Sequence, residues 1–504
     1  MQIATKEYLR ELDALAARRR AEIRATKDEV SVPGTTYYVS ADGCDEADGL
    51  SPDTAWQTLA RVSRAALCEG DAVRFRRGDV FRGKVICRSA VTYCAYGEGD
   101  KPRIYSWKKD LADPALWELY DEERCIWKLC EPITETGNLI FNHGAEHAYK
   151  HIPSYIADGS LVVRDHRERP FVIRDELTQD LDFFCNYIED NFTTAPSKGE
   201  DFPIPMFYGT EALCELYLRS NRGNPGHVFD SIEAAVRECA FVVSRAHHVH
   251  IDNICCMYQG IHAVTAGGAR HTGLHVTNCE MGWIGGTVQG YSGTDPNHPE
   301  GVRGEVTRFG NAVEIYGGCE DYVVENCYVY QCYDAGLSHQ VNSDDVRIMT
   351  NILYKDNLIE HCVYGIEYFL DIRNPDDRDS IMDGVEMCGN FIRHSGEGWG
   401  QQRHNTHTPA AIKGWSYFNR ARNYTIHHNI LDRAGRRMVH LVADEQASCP
   451  AMWENTYVQY DGGCLGQYGG KENGEPPTYP FNGDAERVIT EVFGERDPKV
   501  YVIK

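Results

Sequence analysis

The chain has 504 residues, of which 42% are hydrophobic and 25% charged, the composition of a folded soluble protein rather than a disordered one. Its 75 acidic residues against 51 basic ones give a formal charge of −24, which disfavours nucleic acid and anionic membranes as partners because both would be repelled. Neutral sugars suit such a surface better.

The first thirty residues carry Arg18, Arg19 and Arg20 but no apolar stretch of signal-peptide length, and no window reaches the roughly 18 apolar residues of a membrane span. The expected location is therefore cytoplasmic. Nineteen cysteines include no CxxC pair, and Cys255, Cys256, Cys279 and Cys327 sit inside apolar, strand-like runs. Buried reduced thiols explain them better than a secreted disulfide scaffold or a zinc site.

In chain order, residues 1–30 read as an amphipathic helix, with Leu9, Leu12, Ala16 and Ile23 near helical spacing, expected to cap or dock on the main body. Pro33 and Gly34 end it, and residues 31–109 then alternate short apolar runs with turn residues: Tyr37-Tyr38-Val39-Ser40, Asp48-Gly49, Trp56-Gln57-Thr58-Leu59, Gly70-Asp71-Ala72-Val73 and Gly78. This stretch, continuing through Val91-Thr92-Tyr93, Tyr96-Gly97 and Lys101-Pro102, resembles the first coils of right-handed β-helix proteins of the pectate-lyase-like superfamily. Residues 110–238 break that rhythm. Runs such as Leu139-Ile140-Phe141, Leu161-Val162-Val163 and Leu216-Tyr217-Leu218, between polar, Pro-containing stretches, predict a β-rich insertion.

Residues 239–470 are expected to form the main β-helix. An asparagine follows an apolar strand at positions 253, 278, 326, 357, 390, 429 and 455, at intervals of 25, 48, 31, 33, 39 and 26 residues. Those are coils of roughly 25 residues with loops added, the interval of 48 being two coils or one coil with a loop. Asparagine tolerates the left-handed backbone of a tight bend, and stacked amides about 4.8 Å apart can bond one another, so an asparagine ladder is predicted. Residues 471–504 are left as a C-terminal tail or cap. The fold class is thus all-β: a right-handed parallel β-helix solenoid with an N-terminal helix and a β-rich insertion.

On a solenoid, outward side chains of successive coils line up in columns. Aligning coils on the glycine that starts the second strand puts Gly260-Ile261-His262, Ala312-Val313-Glu314, Gly336-Leu337-Ser338, Gly365-Ile366-Glu367 and Gly398-Trp399-Gly400 in one register. His262, Glu314, Ser338 and Glu367 then share a column. Glu314 and Glu367, two rungs apart, would be about 10 Å from each other, near the spacing of an inverting glycosidase; Asp334, beside the rung between them, could approach either to about 5 Å, the retaining spacing. Glu314, Asp334 and Glu367 are the candidate catalytic residues. Arg308, Asn311, His339 and Gln340 are candidates for binding sugar hydroxyls, Trp399 and Trp415 for stacking on a sugar face, and Gln401, Arg403, His404 and Lys413 lie on later coils. Neither His247-His248 nor His427-His428 has sequence partners that suggest a metal, and no cofactor is expected.

The segment Arg308–Gly318, with Tyr333-Asp334-Ala335-Gly336-Leu337-Ser338-His339-Gln340, Tyr364-Gly365-Ile366-Glu367-Tyr368-Phe369 and Cys279–Gly286, resembles the central block of β-helix proteins grouped with glycoside hydrolases. That resemblance implies a glycosidase of oligosaccharides or glycosides, with homo-oligomer formation left open. The paired aspartates, Gly-His-Gly and Arg-Ile-Lys of polygalacturonases are absent. A lyase or epimerase acting on uronic-acid sugars, and a non-catalytic carbohydrate-binding solenoid, remain alternatives on the same fold.

Overall fold

The computed structural model describes residues 1–27, 30–155, 161–164, 170–171, 177–187, 213–294, 303–403, 409–415 and 420–504. Its body is a right-handed parallel β-helix whose coils each contribute to three faces. The strand Val313–Glu325 shows how: its first part pairs in parallel with Leu337–Gln340 on one face, and its second, from Cys319, pairs with Met349–Lys355 on the next. The third face stacks Cys255–Met257, Glu280–Ile284, Tyr328–Cys332, Leu358–Glu360, Phe391–Arg393, Ile430–Asp432 and Thr456–Tyr460 in order. Inward residues of all three faces, among them Val264, Val313, Leu337, Ile366, Ile412, Tyr354 and Ile392, form one continuous core along the axis. Parallel strands buried on their inner side need such apolar residues at every second position.

The first coils and the main β-helix are one solenoid. Val85 pairs with Phe241, Thr92 with His250 and Arg103 with Cys255, so the chain leaves the stack after Tyr105 and rejoins it near residue 241. The intervening excursion forms mainly antiparallel sheets, including Ile126–Leu129, Asp182–Tyr187 and Leu213–Arg219, around a separate core of Trp117, Phe141, Phe183, Leu216 and Phe229.

The N-terminal helix spans Lys6–Ala25, capped by Thr5, whose hydroxyl accepts from the Tyr8 amide at 3.1 Å. Leu12, Ala16 and Ile23 lie against Tyr328, Leu358, Phe391 and Val458, so the helix docks along the third face. Arg20 meets Glu360 at 2.7 Å and Arg24 meets Glu280 at 2.9 Å. The C-terminal segment is more than a tail: Phe481, Val488, Ile489 and Phe493 enter the core, and Lys499–Ile503 adds a parallel rung to the third face.

The asparagine ladder exists but divides between two adjacent positions. Asn253, Asn278 and Asn326 hold the left-handed bend, with φ of 60°, 54° and 52°, and the same position in later coils is Asp356, Gly389, His428 and Glu454. Asn357, Asn390, Asn429 and Asn455 sit one residue later and point inward, fully buried. Their amides bond in series at 2.9, 2.9 and 3.0 Å, and the row closes on Glu495 at 3.0 Å. In earlier coils the inward position is Cys279 and Cys327, and the amide of Cys327 donates to Asn357 at 2.9 Å. Counting asparagines merged the residue that makes the bend with the residue that fills it. The interval of 48 is a single coil, since Glu280 pairs directly with Tyr328. None of the nineteen cysteines is in a disulfide, and most of them are buried.

Candidate active site

On the first face, seven outward positions stack rung upon rung: Thr265, Glu314, Ser338, Glu367, Lys413, His440 and Gln467. Glu314 and Glu367 therefore share a column two rungs apart, a rise of about 10 Å. His262 is not in that column, contrary to the glycine alignment, because its strand begins only at Val264 and Thr265 takes the place. It lies three residues earlier, as Asn311 lies before Glu314, Tyr364 before Glu367 and Arg437 before His440. Ala335, Tyr364, Ala410 and Arg437 are themselves aligned, so a second column flanks the first.

From that flank His262 reaches Glu314, Nε2 to Oε2 at 3.0 Å. The Asn311 side-chain amide donates to the same oxygen at 2.7 Å and to the Ser338 hydroxyl at 3.1 Å, while its carbonyl accepts from the Ala335 amide at 2.9 Å. Burial pushes the Glu314 carboxyl up, but the charge and hydrogen bond of His262, with hydrogen bonds from Asn311 and Gln340, outweigh it and hold the group below the usual carboxylate value. His262 is correspondingly raised, Glu314 overcoming its burial.

Two rungs away the balance is opposite. Glu367 is pushed up to about 7, first by burial and then by the negative charge of Asp334, against the lowering effects of Lys413, Arg403 and a hydrogen bond from the Trp415 indole. Lys413, the next rung, is pushed down to about 7 by burial. Its ammonium donates to the Tyr364 hydroxyl at 3.0 Å and lies 3.3 Å from the Trp415 ring centroid. Further along, Arg437 bonds both His440 and Gln467 at 2.6 Å, and burial together with Arg437 and Lys413 pushes His440 down to about 3.

Asp334 is not a free carboxylate. Arg403 forms an ion pair with it, and Asp334 acts on Glu367 by charge. Three of the residues expected to bind sugar are also placed otherwise. His339 points inward, stacked on Tyr368 and bonded to the hydroxyls of Tyr354 at 3.0 Å and Tyr424 at 3.2 Å, because it alternates with outward Ser338 and Gln340 along one strand. Trp399 is buried in the short helical turn Trp399–Gln402, so Gly398-Trp399-Gly400 is not a rung of the column, and Lys413 takes that place; the Trp399 indole N–H donates to the Gln331 carbonyl at 2.7 Å and its ring packs on Tyr333. Arg308 is buried too, donating to the carbonyls of Gly286 and Gly137 at 2.6 and 3.0 Å, so it ties the insertion to the solenoid. His404 lies outside the described residues. His262, Asn311, Gln340, Lys413 and Trp415 do converge on the two glutamates. Tyr364, Arg437 and His440 were missed, although continuing the column past Lys413 reaches His440 and the three-residue offset from column members reaches Tyr364 and Arg437.

A cavity of about 820 Å³ opens beside the Glu314 end, lined by His262, Thr265, Gly267, Glu314 and Tyr316 together with Arg82, Trp107, Arg237 and Arg245. Its lining comes from the solenoid face and from both ends of the insertion.

No family model and no curated protein matches the sequence. Among solved structures, the chain is similar to XylC in complex with xylose, at 11% identity over 93% of this chain and 82% of that one, with a TM-score of 0.44. It is similar also to a GH136 lacto-N-biosidase from Eubacterium ramulus, at 12% identity over 99% and 71%, TM-score 0.36. A rhamnogalacturonan lyase gives 9% identity over 85% and 76%, TM-score 0.32. At such scores the likenesses carry no weight for this chain, and its fold rests on its own strand register.

Proposed function

We propose that the protein is a glycoside hydrolase acting on oligosaccharides or glycosides, with Glu367 as the general acid and Glu314 as the general base. The observation that supports this most is one column of the solenoid holding two buried carboxyls whose environments drive them apart: one kept ionised by His262 and Asn311, the other kept protonated to about 7. Glycosidic cleavage asks for that division of labour, a carboxylic acid to protonate the leaving oxygen and a carboxylate to activate water. Their two-rung separation suits inversion, in which a water must fit between base and sugar. Asp334 then serves to hold the proton on Glu367, and Arg403 to hold Asp334 in place.

The test is a panel of nitrophenyl glycosides and short oligosaccharides against the wild type, Glu314→Gln and Glu367→Gln. Turnover of at least one glycoside, lost by about 10³-fold or more in both variants, supports the reading. Activity that survives both changes ends it.

A second reading is favoured by Lys413, whose amine is brought to about 7 and lies on the rung next to Glu367. A partly neutral lysine can abstract the proton α to a uronate carboxylate, as β-elimination requires. Uronic polymers incubated with the protein, with and without calcium, would then yield an unsaturated product seen by absorbance, and Lys413→Ala would abolish it.

A further inference from the structure

The second face of the solenoid carries a set of side chains unconnected with the site above. Glu386 and Cys388 are both outward on the strand Ile381–Cys388, and Cys388 pairs with His427 on the next rung. A carboxylate oxygen, the thiol sulfur and a ring nitrogen of these three residues all lie within 4.8 Å of one another. The His427 ring is stacked on Trp453 at 4.2 Å with 9° between the planes, which fixes its orientation.

Counting hydrogens sharpens the picture. Glu386 Oε1 lies 3.1 Å from His427 Nε2, His427 Nδ1 lies 2.9 Å from His428 Nδ1, and His428 Nε2 lies 2.9 Å from Glu454 Oε2. The three contacts form a chain with a carboxylate at each end. Each contact needs one hydrogen, and two neutral imidazoles supply only two. One position in the chain therefore calls for an additional cation, either a proton or a metal. If His427 donates to His428 and His428 to Glu454, the deficit falls between His427 Nε2 and Glu386, beside the Cys388 sulfur.

We infer that Glu386, Cys388 and His427 form a binding site for a borderline-soft divalent transition metal, of the class of Zn²⁺ or Co²⁺. One thiolate, one imidazole and one carboxylate are a donor set such ions take, with a fourth position left to water. Tetrahedral bonds of about 2.0 to 2.3 Å put ligand atoms roughly 3.3 to 3.7 Å apart, so small side-chain rotations close the site. The remaining His427 nitrogen is held by His428, itself held by Glu454, the outer-shell support that metal-bound histidines use. Binding replaces the thiol hydrogen by the metal: the sulfur–hydrogen bond breaks, a sulfur–metal bond forms, and that proton leaves to solvent together with any proton the metal displaces between His427 Nε2 and Glu386, without any change of oxidation state. The ion would staple two adjacent rungs on a face remote from the glutamate column.

The experiment is titration of the full chain, purified in chelator and then freed of it, with Co²⁺ and Zn²⁺. Wild type is expected to bind one Co²⁺ with a thiolate-to-cobalt charge-transfer band and intense tetrahedral visible bands, to exchange it for Zn²⁺, and to release about one to two protons per ion at neutral pH. Cys388→Ser should remove the charge-transfer band, and His427→Gln, at a half-buried surface position, should weaken binding by about 10-fold or more. Circular dichroism checks that each variant is folded. Absence of the band in the wild type, or its persistence in folded Cys388→Ser, overturns the assignment, since other thiols would then be responsible. Should Cys388→Ser not fold, unchanged Co²⁺ binding in His427→Gln and Glu386→Gln overturns it equally.

Discussion

Glu367 offers the sharpest measurement. Its carboxyl moves from an ordinary 4.5 to about 7 in the folded protein, which corresponds to roughly 3 kcal/mol. In the unfolded chain the group ionises near pH 4.3, whereas the native state keeps its proton until about 7, so between about pH 4.3 and about pH 7 folding takes up a proton. The contribution of Glu367 to stability is thus complete below about pH 4.3 and is lost as pH rises through about 7. Glu367→Gln removes that loss. It also removes the anion that raises Lys413, and the further fall of Lys413 acts in the same direction. The variant should gain on the wild type by roughly 3 kcal/mol or more between about pH 4.5 and about pH 8, in denaturant unfolding followed at several pH values. Infrared difference spectra supply the assignment. Among the described residues, Glu367 and Glu495 should lose protonated-carboxyl absorption with a midpoint near 7 in the wild type, the latter raised to about 7 by burial at the end of the asparagine row. Glu367→Gln should leave the Glu495 component alone. A band unchanged by that substitution, or a stability difference that is flat or falls with pH, would refute the account of the site.

Three other outcomes follow from the same geometry. His262→Gln takes away the cation that holds Glu314 ionised, burial then prevails, and the acidic limb of the activity profile should move up by about one pH unit or more; an unmoved limb counts against Glu314 as the base. Asp334→Asn removes the anion that helps raise Glu367 and leaves Arg403 beside it, so the alkaline limb should move down by about one unit, as a pH–rate profile would show. Asn390→Ala strips a fully buried amide that donates to Asn429 and to the Tyr354 carbonyl at 2.9 Å each and accepts from Asn357 at 2.9 Å. Leaving those partners unsatisfied should cost about 3 kcal/mol in equilibrium unfolding, with little effect if the row is not continuous.

Much of the solenoid was legible because its determinants are local and repeated. The alternation around Val313-Glu314-Ile315 and Gly365-Ile366-Glu367 marks which residues face out, and a parallel stack converts that alternation into columns whatever the loops between coils do. That is why residues 53 positions apart, Glu314 and Glu367, could be placed together by counting. The same logic failed where one coil differs in phase. His262 lies three residues before the column position that the pattern gave it, and His339 points inward between two outward neighbours on its strand. No periodicity reports either fact.

The stacking architecture and the acids on one outward row can be read from the residue order alone, because inward and outward positions follow from a two-residue period. Tertiary structure alone decided which acid is charged. His262 reaching Glu314, Arg403 closing on Asp334, and Glu386, Cys388 and His427 meeting on another face all depend on side chains from separate coils and loops, whose approach is set by packing and charge rather than by any spacing along the chain.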